Sequence, residues 1–85
     1  MTEYTELCKI EPGQHATVRE LKNESGMRRR LCDIGLIEGT AVDCVGQSPA
    51  GDPKAYLIRG AVIAIRNQDS KHILVELKME DAKWG

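Results

Sequence analysis

Glycine and proline cut this chain into apolar runs too short for anything but small strands and one brief helix. The breaks fall at Pro12-Gly13, Gly35, Gly39, Ser48 to Pro53 and Gly60. Between them the apolar residues recur with a period of two, as in strands, or of about 3.6, as in helices. In Gln14 to Leu21, Ala16 and Val18 alternate with His15, Thr17 and Arg19, which predicts a half-buried strand. From Asn23 the period changes. Met27, Leu31 and Ile34 stand at i, i+4 and i+7, with Asn23 or Ser25 available as N-cap, so a helix of about two to three turns is expected. Gly35 falls at the left-handed position that closes such a helix, and Leu36 can then pack back on Leu31, as a Schellman ending requires.

Beyond the helix, Leu36 to Val42 echoes Ile10 to Ala16: an apolar residue, a glycine three positions on, then a strand. Two turns of like chemistry thus launch two strands. Ala41 to Gln47 reads as a strand and Ser48 to Pro53 as a loop. Lys54 to Arg59 and Val62 to Arg66 read as a hairpin joined across Gly60, with Tyr56 facing outward. Asn67 to Lys71 suits a tight turn or one helical turn. Ile73, Val75 and Leu77 then alternate with His72, Leu74 and Glu76 in a last strand.

Four or five such strands in 85 residues would leave exposed edges if they stayed flat. Curling the sheet removes most of that edge. The expected fold is therefore mainly β: a small barrel of about five strands, like Src-homology-3 (SH3) domains, with one short α-helix. Its expected core is Val18, Leu31, Val42, Leu57, Ile63, Ile65, Ile73 and Val75. Residues 1–85 read as a single domain with a loose tail over 78–85.

Composition narrows the function. A formal net charge of −1 sets up no field for a polyanion, and Tyr4, Tyr56 and Trp84 are the only aromatic rings, so nucleic acid is not the expected partner. No apolar run approaches the roughly 20 residues of a membrane span, and Met1 to Ile10 lacks the pattern of a signal peptide. Cys8, Cys32 and Cys44 are odd in number and far apart, which suits free thiols in the cytosol. Gly46, Gly51 and Gly60 do not have phosphate-loop spacing, and no third group orients a Cys and His pair, so no catalysis is expected. The soft or borderline metal ligands Cys8, His15, Cys32, Cys44 and His72 include no close pair, so neither a metal site nor a cofactor is expected. Cys32 and Cys44 instead read as core or near-core residues, and His15 and His72 as solvent-facing ones.

Arg28, Arg29 and Arg30 form the densest run of charge. On the expected helix they flank or oppose the apolar face and are exposed. Arg29 could pair with Asp33 at i, i+4, worth only about 0.2–0.5 kcal/mol. Three cations near a helix start and an aspartate in its last turn would oppose the macrodipole, so the run is a candidate partner-binding site.

The ordered set Pro12-Gly13, Arg29-Arg30-Leu31-Cys32-Asp33-Ile34-Gly35-Leu36, Gly39-Thr40, Gly51-Asp52-Pro53, Arg59-Gly60, Ile63-Ala64-Ile65-Arg66 and Ile73-Leu74-Val75 resembles the ferrous iron transport protein A (FeoA) family over residues 7–77. Cys32 departs from the aliphatic residue commoner there, and Trp84 lies outside the pattern. The resemblance implies an SH3-like fold and a cytosolic accessory protein of bacterial ferrous iron uptake, without catalysis. It implies as partner the GTP-binding portion of a membrane ferrous iron transporter, which would bring the protein to the inner face of the membrane. Weak self-association stays among the expectations, as does the alternative of a transition-metal sensor or carrier using Cys and His ligands.

Overall fold

The alternating segment after Pro12-Gly13 becomes a strand with Ala16 and Val18 buried, and five more strands assemble around it. A computed structural model of the protein describes residues 3–77. Its strands are β1 (Glu3–Glu6), β2 (His15–Leu21), β3 (Ala41–Gln47), β4 (Lys54–Ile58), β5 (Ala61–Ile65) and β6 (Ile73–Leu77). They form one antiparallel sheet in the order β1-β6-β2-β3-β4-β5. The helix α1 spans Ser25–Asp33, a one-turn α2 spans Asn67–Ser70, and a 3-10 turn covers Leu7–Lys9. The strand β1 was not foreseen, because Glu-Tyr-Thr-Glu carries little apolar signal. The expected loose tail and Trp84 lie outside the described residues.

One face of the sheet encloses the core. Val18, Val42, Cys44, Tyr56, Ile58, Ile65, Ile73 and Val75 come from five strands and join Leu7, Ile10, Leu31 and Leu36 in a single cluster. Register shifts at Val18/Glu20 and Cys44/Gly46 mark bulges, which bend and twist the strands that carry them. On the far side, the 3-10 turn is tied to β4. The Lys54 ammonium donates to the carbonyls of Cys8 at 2.7 Å and Ile10 at 2.8 Å, and the Tyr56 hydroxyl donates to that of Leu7 at 3.3 Å.

The hairpin β4–β5 corrects the expected phase. Its two-residue turn has Arg59 at φ 50° and Gly60 at φ 87°, the positive values of a type I′ turn, and it pairs Ile58 with Ala61. That register turns Lys54, Tyr56 and Ile58 inward. Leu57, expected in the core, is only half-buried on the outer face, while Tyr56, expected outside, is fully buried. Apolar residues on both faces left the alternation without a phase. Ile63 packs half-buried against the core.

Burial pushes the Tyr56 hydroxyl up from 10.0 to about 12. The fold thus holds the neutral phenol. Below about pH 10 that contribution is fully present, and between about pH 10 and 12 the unfolded chain loses its proton first, so stability falls as pH rises. Urea midpoints should therefore decline across that window, and Tyr56→Phe should reduce the decline. An equal decline in both proteins would show that the phenol is not the group responsible.

The helix ends as expected. Gly35 has φ +95°, Leu36 N–H donates to the Leu31 carbonyl at 2.9 Å, and Gly35 N–H donates to that of Cys32 at 2.9 Å. These are the two bonds of a Schellman ending, and Leu31 and Leu36 are both buried. Ile34 is the half-helical cap residue, as expected, but it does not share the buried face of Met27 and Leu31: it is 38 % exposed, and Leu36 is buried instead. The cap is another. Glu24, not Asn23 or Ser25, accepts from Met27 N–H at 2.9 Å, because the buried Asn23 amide donates instead to the Asp69 carbonyl at 2.8 Å.

Candidate functional site

The burial of Leu31 and the half-burial of Met27 fix the rotation of α1, and with it the direction of the arginines. Arg28, Arg29 and Arg30 are all exposed. Among the described residues the ion pairs are His15 with Asp43 at 2.7 Å and Arg19 with Glu76 at 2.6 Å, so none of the three has a carboxylate within ion-pair distance. Arg29 does not pair with Asp33. Arg28 reaches only the Asn23 carbonyl, at 3.5 Å.

Contrary to expectation, most of the charge along α1 does not oppose its macrodipole. The helix begins at Ser25, so Arg30 lies in its last turn, where a cation is favourable, and Glu24 at the N-cap is favourable too. Only Asp33 opposes the dipole. What distinguishes the run is three adjacent guanidinium groups with no carboxylate partner among the described residues. Sequence reasoning missed their apolar neighbours, because it placed Ile34 on the helix face shared with Met27 and Leu31. Ile34 and Ile37, 38 % and 43 % exposed, follow the arginines along the chain around the Schellman turn. A cationic helix with apolar residues at its end is suited to docking on a protein surface of opposite charge.

The five soft or borderline ligands are not gathered. His15 Nδ1 faces Asp43 Oδ1 across the β2–β3 ladder, and His72 is exposed before β6. Cys44 is buried, and Cys8 is half-buried with its thiol pushed up by burial and by the Glu6 carboxylate at 3.5 Å. Cys32 corrects the core reading: with Leu31 inward, the next residue faces solvent. Among the described residues no three His, Cys, Asp or Glu side chains could hold one ion. A strong chelator should accordingly leave the thermal midpoint unchanged. A drop of several degrees, abolished by replacing His15 and His72, would establish a structural metal.

The FeoA domain family model matches residues 5–77. The chain belongs to the FeoA family. A solved FeoA-like protein of Clostridium acetobutylicum is 33 % identical and superposes with a TM-score of 0.85 over 99 % of this chain and 98 % of that one. A curated relative, the Fe(2+) transport protein A/Fe(2+) transporter FeoB fusion protein of Porphyromonas gingivalis, is 26 % identical over 76 residues. That match covers 89 % of this chain but spans only 9 % of the relative's length. FeoA of Stenotrophomonas maltophilia, solved with zinc and described as a prokaryotic SH3 domain protein, shares the fold at 23 % identity, with a TM-score of 0.74 over 84 % of this chain and 88 % of that one.

The fold is therefore mainly β and SH3-like, with six strands in place of about five. FeoA membership ties the chain to ferrous iron transport, in a family of accessory domains. No helix among the described residues is long and apolar enough to cross a membrane.

Proposed function

We propose that this protein is a cytosolic accessory component of ferrous iron uptake, which binds the GTP-binding portion of the membrane ferrous iron transporter through the exposed side of α1. The observation that carries this reading is the Porphyromonas gingivalis relative, in which a segment similar to this chain is fused to the transporter FeoB. A covalent link replaces binding affinity by a high effective concentration. The contact itself must still be made by the surfaces of the two domains. Arg28, Arg29 and Arg30 supply the charge for that contact, and Ile34 and Ile37 supply apolar area beside it.

Changing Arg29 and Arg30 to Glu should preserve the fold, since exposed charges usually alter stability by no more than about 0.5 kcal/mol. Binding to the purified cytosolic domain of the transporter should weaken, mainly in association rate. The difference should shrink at high salt, because screening acts over roughly 8 Å at physiological ionic strength. Surface-immobilised binding of melt-checked variants at two salt concentrations measures this. Unchanged binding at low salt would return the run to an ordinary solvated helix face.

A further inference from the structure

The two edges of the sheet differ in kind. At one end β1 pairs only with β6 among the described residues, and Glu3 and Glu6 are exposed on it, charges that discourage pairing with other strands. At the other end β5 pairs only with β4 among the described residues, and its sequence Ala-Val-Ile-Ala-Ile carries no charge, no polar side chain and no proline. The hydrogen-bonded pair that closes a two-residue hairpin is Ile58 with Ala61, so residues 61, 63 and 65 bond to β4. The N–H and C=O groups of Val62 and Ala64 consequently point away from β4, where no strand of the described residues receives them.

The side chains repeat the message. The outer face of the hairpin carries Ala55, Leu57, Val62 and Ala64, with Val45 beside them in the β3 bulge. Val62 is 63 % exposed and Val45 49 %. An antiparallel sheet with one face in water ordinarily has polar residues there, as β2 does with His15 and Arg19. On the inner face, Ile63 is only half-buried, and among the described residues no further strand lies beyond β5 to cover it. Free backbone groups, an apolar outer face and an incompletely covered inner residue thus coincide on one strand.

Charge identifies what fits. Arg59 in the turn and Arg66 just after the strand are exposed, and neither has a carboxylate within ion-pair distance among the described residues. A second copy pairing antiparallel about Ile63 would bring Arg66 of each chain beside Arg59 of the other, setting like charges together at both ends. A foreign strand with carboxylates at its ends would meet Arg66 at one end and, once its flexible side chain swings off the Gly35 turn, Arg59 at the other. The geometry points to the edge of β5 as a strand-docking site for an extended apolar segment of a partner protein, flanked by acidic residues. The inference goes beyond the reading of α1 and does not depend on who that partner is.

The probe is a synthetic nine-residue peptide of alternating valine and threonine with two aspartates at each end, titrated to millimolar concentration into the isotope-labelled full chain. Amide shifts should concentrate on β5, and exchange at Val62 and Ala64 should slow. A peptide ending in lysines should bind at least tenfold more weakly. Val62→Pro removes one outward N–H while sparing the β4 ladder, a change edge strands tolerate, and it should weaken binding at least tenfold. Should that variant fail to fold, Arg66→Glu carries the test, and its loss of affinity should shrink at high salt. Absence of shifts on β5, or equal binding of the acidic and basic peptides, would overturn the proposal. So would a dimer in sedimentation that Val62→Pro or Arg66→Glu altered, since a second copy would then be the occupant.

Discussion

Replacing Lys54 with methionine is expected to lower the unfolding free energy by about 2–4 kcal/mol, the result of leaving two inward carbonyls without their donor. Lys54 is 8 % exposed, and its ammonium reaches the Cys8 and Ile10 carbonyls from β4. Methionine keeps the length and most of the apolar stem, so the loss reports the hydrogen bonds and not the packing. The effect should be uneven. Among the described residues only β6 flanks β1, and the 3-10 turn after it is held to β4 by Lys54 and by the weaker Tyr56 bond. Amide exchange in residues 3–10 should therefore accelerate more than in β2 or β3. Urea unfolding gives the global number and exchange gives the local one. A stability change below about 0.5 kcal/mol would show that the two carbonyls find other donors, and the clasp would lose its importance.

Replacing Gly35 with alanine or valine is expected to cost about 2 kcal/mol, more for valine, whose branched side chain tolerates a left-handed backbone least. A Cβ at this position would also overlap the Arg59 side chain, which lies across the turn. The two causes can be separated. The arginine is flexible and can swing aside, whereas φ +95° is dictated by the Schellman bonds. If conformation dominates, Gly35→Ala should cost nearly the same with Arg59 as with Asn at 59, a residue that tolerates the positive φ of that turn. If the overlap dominates, the second background should recover most of the loss. A thermal midpoint unmoved by Gly35→Val would refute the cap altogether.

Much of this architecture could be read from the chain because its punctuation is strong. The Gly35 ending, the paired Pro12-Gly13 and Gly39 turns, and the strands beginning near His15, Ala41 and Ile73 all follow from local chemistry that tertiary packing left alone. The misreadings share a physical cause. Tyr56 and Leu57 sit in a run with apolar residues on both faces, and only the closing pair of the Arg59-Gly60 turn decides which goes inside. Ile34 continued the apolar period of Met27 and Leu31, but as the half-helical residue before Gly35 it stays largely in solvent. Asn23 was a sound N-cap candidate until a distant carbonyl at Asp69 claimed its amide. Burial of Lys54 had no local signal, since its partners lie 44 and 46 residues away. For the site, the arginine run was visible as composition, but its lack of carboxylate partners among the described residues and its apolar neighbours were not.

The strand order also constrains when the fold can form. Leu77 stands opposite both Glu3 and Ala16, so β6 is laid between the first two strands of the sheet. Until it is in place, β2 has a partner on one side only, and β1 has none. During synthesis, the early half of the chain must therefore wait, its apolar edges open, until β6 has cleared the ribosome. Loop closure over such separations is slow compared with helix formation. The helix α1 and the β4–β5 hairpin can form early from neighbouring residues, while the sheet as a whole closes last. Truncation before Ile73 should consequently yield a chain that binds chaperones, not a smaller version of the same fold.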